Sequence, residues 1–281
     1  MVVTDSIACL TPEQVAQNKI EIVPLYMRYD DQIFRDGVDI TPTQAYELFM
    51  KNPDVFTTSA ATPADFLAAF RKTAAQTDSI ICITVSTKLS TTYNSAVLGK
   101  EYILREFPQL NITVMDSQTA TASEGMIVLA GAKIASSGAT LPEVLLTAQN
   151  TKSKVNSLVL LETIKYVYRS GRVPKIAAQA GSILNIHPLF SIKGRVNLIG
   201  VARTFDRGID RIIRKIKTEL GNKPVDLAVM HAYALEPAVA LLVRLKKEFN
   251  YHDIWLTEFS PLMGYACGTG TLGIAYTEAE S

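Results

Sequence analysis

Short apolar runs alternate with amphipathic segments through the first half of the chain. Runs rich in branched residues predict buried strands, at residues 2–4, 20–29, 79–85 and 111–115. Apolar residues at helical spacing predict helices, at residues 42–52, 63–76, 90–106, 123–137 and 140–154. Several of these helices follow a Thr with a nearby Pro, a start typical of a capped first turn. The alternation predicts a mainly parallel sheet covered by helices on both faces.

The second half mixes hairpin-like and helical segments, without a Pro- or Gly-rich linker before it. Strands are predicted at residues 155–161, 188–203 (a hairpin turning at Lys193-Gly194), 225–230 and 253–258, and in a terminal run from Leu272. Helices are predicted at residues 173–184, 206–220 and 235–249. We therefore predict an α/β protein with a parallel α/β domain at residues 1–153 and an α+β domain at residues 154–281. The boundary is gradual, and segments can be exchanged across it.

Composition restricts the class of protein. Hydrophobic residues make up 48% of the chain and charged residues 20%, which is typical of a globular protein with a packed core. The net charge of +1 gives no global field that would attract nucleic acid. Widely spaced cysteines indicate a reducing compartment, the first residues do not resemble a signal peptide, and no apolar run approaches the roughly 18 residues of a membrane span. We expect a soluble, cytoplasmic protein.

Motifs of common enzymes and cofactor sites are absent or incomplete. The segment GTGTLG (268–273) matches the dinucleotide fingerprint G-x-G-x-x-G, but residues 274–281 leave no room for the helix that must follow it. The sequence has no nucleophile elbow, Walker A motif or zinc-protease motif. The histidines His187, His231 and His252 are dispersed. We therefore predict no cofactor, no metal site and no catalytic residues.

Two dense groups of uncharged hydroxyls occur at residues 57–62 and 86–95. Helix capping explains Thr62 and Ser90 but not the surplus, so structural and ligand-binding interpretations both stay open. Ser90 lies where a helix begins, and the free N–H groups and the positive dipole end there suit an anion. Neither group has an Arg or His within it. Neutral donors suit a singly charged carboxylate better than a phosphate, which needs a stronger counter-charge.

Asp-Ser pairs follow two predicted strands, at Asp5 and Asp116. Ligands of parallel sheets bind outside the carboxyl ends of the strands, so the acids and the hydroxyl groups are expected at one edge. Hydrogen bonding within the loops is the alternative interpretation for each acid.

Several short segments, taken in order, resemble the DegV family of bacterial fatty-acid-binding proteins. Each is weak alone, but together they run through almost the whole chain. The segments are VVTDSIACL (2–10), FRDGVDIT (34–41), TTSAATPADF (57–66), STKLSTTYNSA (86–96), MDSQTATASEG (115–125), SGRV (170–173) and GSILNIHPLF (181–190).

The resemblance implies a two-lobed protein that holds a long-chain fatty acid in a tunnel between an N-terminal parallel α/β lobe and a C-terminal α+β lobe. It also implies that hydroxyls bind the carboxylate, at Ser90 and at Thr58 or its neighbours Thr57 and Ser59. In this family some members deliver the acid to a separate kinase subunit, which makes the acyl phosphate. The resemblance therefore implies a non-enzymatic carrier of the kind that serves a fatty acid kinase.

Three positions depart from the family pattern. The glycine of the family's Leu-Ser-Gly-Thr segment is Thr91, which adds a side chain beside the anion site. In GYACGTG (264–270) the family's His is Ala266, so a headgroup contact is either lost or replaced by Tyr265 or Thr269, with Gly268 close to the ligand. The Lys of the family's Leu-Asn-Ile-Lys-Pro string is His187.

Basic residues suggest partner surfaces. Arg172 and Arg203 match family arginines that suit partner contact. In the predicted helix 206–220, apolar residues form one face and basic residues cover the rest. This helix is interpreted either as a core helix with a solvated basic face or as a platform for an acidic kinase surface or anionic lipid headgroups. The second interpretation allows transient contact with a membrane surface.

Two other functions compete with the carrier. One is a small-molecule hydrolase or transferase with Ser90 or Ser86 as the nucleophile, although no motif positions the base that such a serine needs. The other is a binding module for a polar metabolite such as a sugar or phosphate. A lipid site requires a deep apolar lining and a sugar site an open polar cleft, so the lining distinguishes them.

Overall fold

The strands and helices follow the predicted order closely. The structure is a computed structural model, and it describes residues 1–167, 169–172 and 186–279. Its strands are β1 (Val2–Asp5), β2 (Glu21–Val23), β3 (Tyr26–Tyr29), β4 (Gln32–Arg35), β5 (Phe56–Ser59), β6 (Ser79–Thr84), β7 (Asn111–Asp116), β8 (Asn156–Leu160), β9 (His187–Lys193), β10 (Arg195–Ala202), β11 (Val225–His231), β12 (Tyr251–Glu258) and β13 (Leu272–Glu278). Its helices are α1 (Pro12–Gln17), α2 (Pro42–Lys51), α3 (Pro63–Ala74), α4 (Thr92–Glu106), α5 (Ala122–Ser136), α6 (Leu141–Lys154), α7 (Phe205–Leu220), α8 (Leu235–Glu248) and α9 (Pro261–Cys267).

The predicted parallel sheet forms the N-terminal part of the chain, with strand order β2-β1-β6-β7. Helices α3 and α4 pack on one face and α5 and α6 on the other. Its central strands are buried on both faces, as their branched apolar sequences predicted. The predicted starts of α2 and α3 are also confirmed, because Thr41 and Thr62 accept the N–H of the third helical residue.

A six-stranded mixed sheet forms the C-terminal part, with strand order β10-β9-β8-β13-β11-β12. Helices α5 and α6 pack between the two sheets, while α7 and α8 cover the outer face of the mixed sheet. Side chains alternate along each strand, so Val159 and Phe190 belong to the core shared with α5, whereas Leu158 and Leu189 pack towards α7 and α8. The predicted combination of a parallel and a mixed α/β part is therefore confirmed.

Four elements were not predicted, namely α1, β4, β5 and α9. Residues 20–29 form two strands rather than one, and β3 joins β4 and β5 in a small antiparallel sheet. Helix α9 lies in the segment predicted only as glycine-rich and packs against β3, β5 and α2. The hydroxyl of Tyr46 in α2 donates to the carbonyl of Phe259 over 3.0 Å. A C-terminal helix thus completes the core of an N-terminal sheet, a contact that local patterns do not encode.

The structure tests neither of two further predictions from the sequence. The division into domains at residues 1–153 and 154–281 stays a prediction, as does the helix at residues 173–184, which lies outside the described residues. In the part of the chain that the structure describes, no helix is long and apolar enough to cross a bilayer.

Candidate functional site

A cavity opens at the carboxyl edge of the parallel sheet. One lining residue follows each of the four parallel strands: Ile7 after β1, Leu25 after β2, Val85 after β6 and Ala120 after β7. This is the edge at which ligands of parallel sheets bind. The cavity thus lies at the edge where the site was expected, and the assignment of the site residues stays a prediction.

The opposite walls of the cavity are apolar. Side chains of the mixed sheet and of α9 form them: Val159, Leu161, Phe190, Ile192, Val196, Leu262, Met263, Ala266 and Cys267. The cavity has a volume of about 110 Å³. Its apolar lining suits an extended apolar ligand better than a sugar.

Five polar residues also line the cavity: Thr58, Ser59, Ser90, Ser170 and Arg172. Arg172 is the one charged side chain among the described lining residues. Its Nε donates to the carbonyl of Leu89 over 3.2 Å, which places the guanidinium beside the loop that carries Ser90. The hydroxyl groups, which have no arginine near them in the sequence, therefore share their cavity with a positive charge.

Ser90 lies just before the helix that it was predicted to cap. Helix α4 begins at Thr92, and its N-cap residue is Thr91, whose side chain makes no capping hydrogen bond. The Oγ of Ser90 instead accepts the N–H of Thr92 over 3.2 Å and lies 2.7 Å from the Oγ1 of Thr92. The prediction of Ser90 as the N-cap is wrong by one residue, because the turn before α4 is longer than the pattern indicated. Ser90 still links the cavity to the positive end of a 15-residue helix.

Several predicted site residues do not line the cavity. On β5, the side chain of Thr57 is exposed, and that of the next residue, Thr58, lies on the opposite face of the strand and lines the cavity. Thr91 is exposed at the start of α4. The hydroxyl of Tyr265 donates to the carbonyl of Arg169 over 3.3 Å. Gly268 ends α9 with a positive φ of 80°.

The two predicted partner residues differ in their position relative to the cavity. Arg172 lines the cavity, as described above. Arg203 is exposed beyond the end of β10 and does not line it. Sequence reasoning missed Ser170 and missed Arg172 as a cavity residue, because the contact between Arg172 and Leu89 joins positions 83 residues apart.

Three carboxyl groups among the described residues are buried in the fold, and that of Asp5 contacts the cavity lining. Asp5 accepts the N–H of Ile7 over 3.0 Å and that of Val85 over 2.9 Å, and both partners line the cavity. Burial raises the pKa of Asp5 to about 7 and that of Asp36 to about 6. Burial, followed by the nearby charge of Asp5, also raises the pKa of Glu124 well above its usual range. The interpretation of Asp5 as a loop-bonding residue agrees with these contacts.

The candidate nucleophiles have no base beside them. Neither a histidine nor a carboxylate is found among the described lining residues. Ser86 donates its hydroxyl to the carbonyl of Gly194 over 2.5 Å. His231 accepts the N–H of Ala234 over 3.3 Å, and burial lowers its pKa to about 4. Within the described residues, no group of three or more His, Cys, Asp or Glu side chains could hold a metal ion.

Comparison with known sequences decides the family. The family described as "Uncharacterised protein, DegV family" matches residues 1–279. The chain belongs to the DegV family. A DegV domain-containing protein of Clostridium perfringens is 32% identical to it over 277 residues, covering 98% of this chain and 97% of the relative. The family resemblance of the sequence is thereby confirmed.

Solved DegV structures share the whole fold. A structure from Thermus thermophilus, described as fatty acid binding of a DegV family protein, is 26% identical, covers 99% of both chains and has a TM-score of 0.89. A stearic-acid-binding protein of Eubacterium ventriosum has a TM-score of 0.91 over 99% of this chain and 97% of its own, at 22% identity. The second likeness is evidence for the fold alone.

Proposed function

We propose that this DegV protein binds a long-chain fatty acid in the cavity and carries it without catalysing a reaction. The observation that carries the proposal is the cavity itself, whose walls are apolar and whose polar lining consists of hydroxyls and one arginine. The Thermus thermophilus relative, described as fatty-acid-binding, supports the same ligand class. We further propose that the parts of the chain before and after residue 153 act as the two lobes around the ligand, in the cytoplasm.

The acyl chain supplies most of the proposed affinity. Burial contributes about 0.8 kcal/mol per methylene, so a chain of about 16 carbons gains about 12 kcal/mol before the costs of ordering are subtracted. A hydrogen bond to a charged carboxylate adds about 1.5 to 3 kcal/mol. The apolar walls therefore determine how tightly the acid is held, and the polar groups determine which end enters last.

The polar groups proposed for the carboxylate are Ser90, Thr58 and Arg172. Ser90 lies at the positive end of α4, and the guanidinium of Arg172 lies beside it at Leu89. Two hydroxyls and one cation match a single negative charge. Ser59 also lines the cavity and is a further proposed contact, whereas Thr57, Thr91, Tyr265 and Gly268 would need a rearrangement to reach the ligand.

Native mass spectrometry of protein purified from a bacterial host provides the direct test. We expect a retained mass near that of palmitate or oleate, which leaves when the protein is denatured. A retained sugar or phosphate compound would support the polar-metabolite alternative. A ligand-free protein that does not take up added fatty acid would contradict the proposed function.

Removing the headgroup donors is expected to weaken binding moderately. Ser90→Ala and Thr58→Ala should each weaken fatty-acid binding about 10-fold or more, because each removes one hydrogen bond to a charged group. The measurement is displacement of a fluorescent fatty acid. Thr57→Ala and Thr91→Ala are matched controls, since these neighbouring hydroxyls do not line the cavity. Equal effects of all four substitutions would contradict the headgroup assignment.

We also propose that the loaded protein presents its ligand to a partner kinase, which forms the acyl phosphate. Arg203 and Arg172 are the proposed contacts. Because Arg203 does not line the cavity, its substitution tests partner contact separately from ligand binding. Arg203→Glu is expected to keep fatty-acid binding and to lose most acyl-phosphate formation with the kinase. Arg172→Glu is expected to weaken both. Unchanged product formation by the Arg203→Glu variant would remove Arg203 from the partner surface.

The nucleophilic alternative predicts hydrolysis of an ester substrate that depends on Ser90 or Ser86. The absence of a histidine or carboxylate from the described lining residues argues against it, because a serine needs a base to attack. Turnover of p-nitrophenyl esters that disappears in Ser90→Ala would favour the enzyme over the carrier.

A further inference from the structure

Helix α8 exposes a stripe of large apolar side chains. Leu235, Val239 and Val243 follow one another at four-residue spacing and are 59%, 43% and 46% exposed. Their spacing places them on one face of the helix. The opposite face, with Ala238, Leu241 and Leu245, is buried against the mixed sheet. The stripe is therefore not part of the core, and no described residue covers it.

Charged residues flank the two ends of this stripe. Glu236 lies in the first turn of α8, and Lys246 and Lys247 lie in the last turn. All three side chains are exposed, and none forms an ion pair with another residue in the part of the chain that the structure describes. The helix thus offers an acidic end and a basic end that are both unpaired.

The geometry points to a second copy of this chain as the partner, docked with α8 antiparallel to α8. We propose that the two copies form a weak symmetric dimer about a two-fold axis that lies on the exposed side of α8, at the level of position 241 along the helix. That axis lies midway between Val239 and Val243, so each of these residues meets the other in the partner.

The same axis also pairs the charges. Position 241 is midway between Glu236 and Lys246, and the rise of 1.5 Å per residue places each of them about 7.5 Å from the axis along the helix. Glu236 and Lys247 lie on the same flank of the stripe, at about 60° and 80° from Val239 around the helix at 100° per residue. In an antiparallel pair, equal flanks face each other. Glu236 of one copy therefore meets Lys247 of the other, twice in each dimer. Lys246 lies at the same level along the helix but about 20° to the other side of Val239, within the stripe, where its long side chain adds to the positive charge near Glu236.

A membrane surface would fit this face less well. An anionic surface attracts basic residues along the whole exposed face, whereas here the start of the stripe is acidic. A symmetric partner uses both signs of charge. Because one helix pair buries less than a standard interface, the dimer is expected only at high protein concentration.

The proposed dimer leaves the cavity free. Helix α8 covers the outer face of the mixed sheet, whereas the cavity residues Val159 and Phe190 point from its inner face. Dimer formation therefore does not depend on the proposed ligand. Variants of the α8 surface should bind the fatty acid as the wild type does.

Analytical ultracentrifugation across micromolar concentrations tests the proposal. The wild type is expected to approach twice the monomer mass as concentration rises. Glu236→Lys and the double variant Lys246→Glu/Lys247→Glu should each stay monomeric, because like charges then meet at both contacts. A mixture of these two variants should form a mixed dimer. In that dimer the basic position 236 of one variant faces the acidic positions 246 and 247 of the other, and the unchanged positions pair as in the wild type. Glu13→Lys, an exposed residue of α1, is a control with the same change of charge and should dimerise normally.

Three results would overturn the proposal. The first is a wild type that stays monomeric at every concentration. The second is a dimer that neither charge variant affects. The third is monomeric wild type that binds vesicles containing anionic phospholipid through α8, shown by loss of binding in a Val239→Ser/Val243→Ser variant. Thermal melting of each variant verifies that these surface changes leave the fold intact.

Discussion

Replacing Ala266 by tryptophan is expected to abolish retention of a long-chain fatty acid. Ala266 lies in α9, is half-buried and lines the cavity, so an indole there projects into the space proposed for the acyl chain. Each displaced methylene forfeits about 0.8 kcal/mol, and the loss of a few methylenes weakens binding at least about 100-fold. The measurement is displacement of a fluorescent fatty acid, together with native mass spectrometry of the purified variant.

Two controls separate blockage from damage to α9. Ala266→Ser changes the same position without filling space and should retain the ligand. Thr269→Trp adds the same bulk beyond the end of α9 at a residue that does not line the cavity. If Ala266→Trp binds fatty acid as tightly as these controls, the acyl chain does not occupy this cavity. A variant that binds only shorter fatty acids would place Ala266 near the methyl end of the bound acyl chain.

The second large effect expected is on the pH dependence of stability, through Glu124. This carboxyl is fully buried on α5, and its Oε1 accepts the hydroxyl of Thr4 over 3.4 Å. Burial raises its pKa, so the folded protein keeps a proton that the unfolded chain releases. The folded state binds more protons than the unfolded state, and the unfolding free energy therefore falls as pH rises from about 5 to about 8. Asp5, with a pKa of about 7, contributes in the same direction.

Glu124→Gln is expected to flatten this dependence. Glutamine keeps the shape and the acceptor for Thr4 but cannot ionise, so the loss of stability between pH 5 and pH 8 should be smaller in the variant than in the wild type. Urea denaturation at both pH values measures the change. Glu101→Gln, at an exposed position on α4, is the control. Equal pH dependence in wild type and Glu124→Gln would mean that Glu124 does not hold the extra proton of the folded state.

Most of the secondary structure could be predicted because its signals are local. Branched runs marked β1, β6 and β7, and the Thr-Pro starts marked α2 and α3, whose caps use residues only three positions apart. The small antiparallel sheet was missed because β4 and β5 are strands of only four residues, too short to give a clear strand pattern in the sequence. Helix α9 was missed because glycines interrupt its pattern and its stability comes from packing on an N-terminal sheet.

The candidate site could be predicted in part. The carboxyl edge followed from the order of strands. Thr58, Ser59 and Ser90 line the cavity at that edge and were singled out by the hydroxyl groups and the family resemblance, and their contact with a ligand stays a prediction. The separation of Thr58 from its neighbour Thr57 did not follow from the sequence, because it depends on which face of β5 turns inward. That choice is made by the register of β5 on β3 and not by the residue types.

By itself, the sequence determined the family, the parallel and mixed α/β parts and the edge at which a cavity was expected, because caps, branched runs and short motifs act over a few residues. Only the tertiary structure decided that Arg172 shares a cavity with Ser90, that Asp5 is buried against the lining of that cavity and that α8 leaves an apolar stripe uncovered. These features depend on contacts between residues far apart in the chain, and such contacts form only when the sheets and helices pack together.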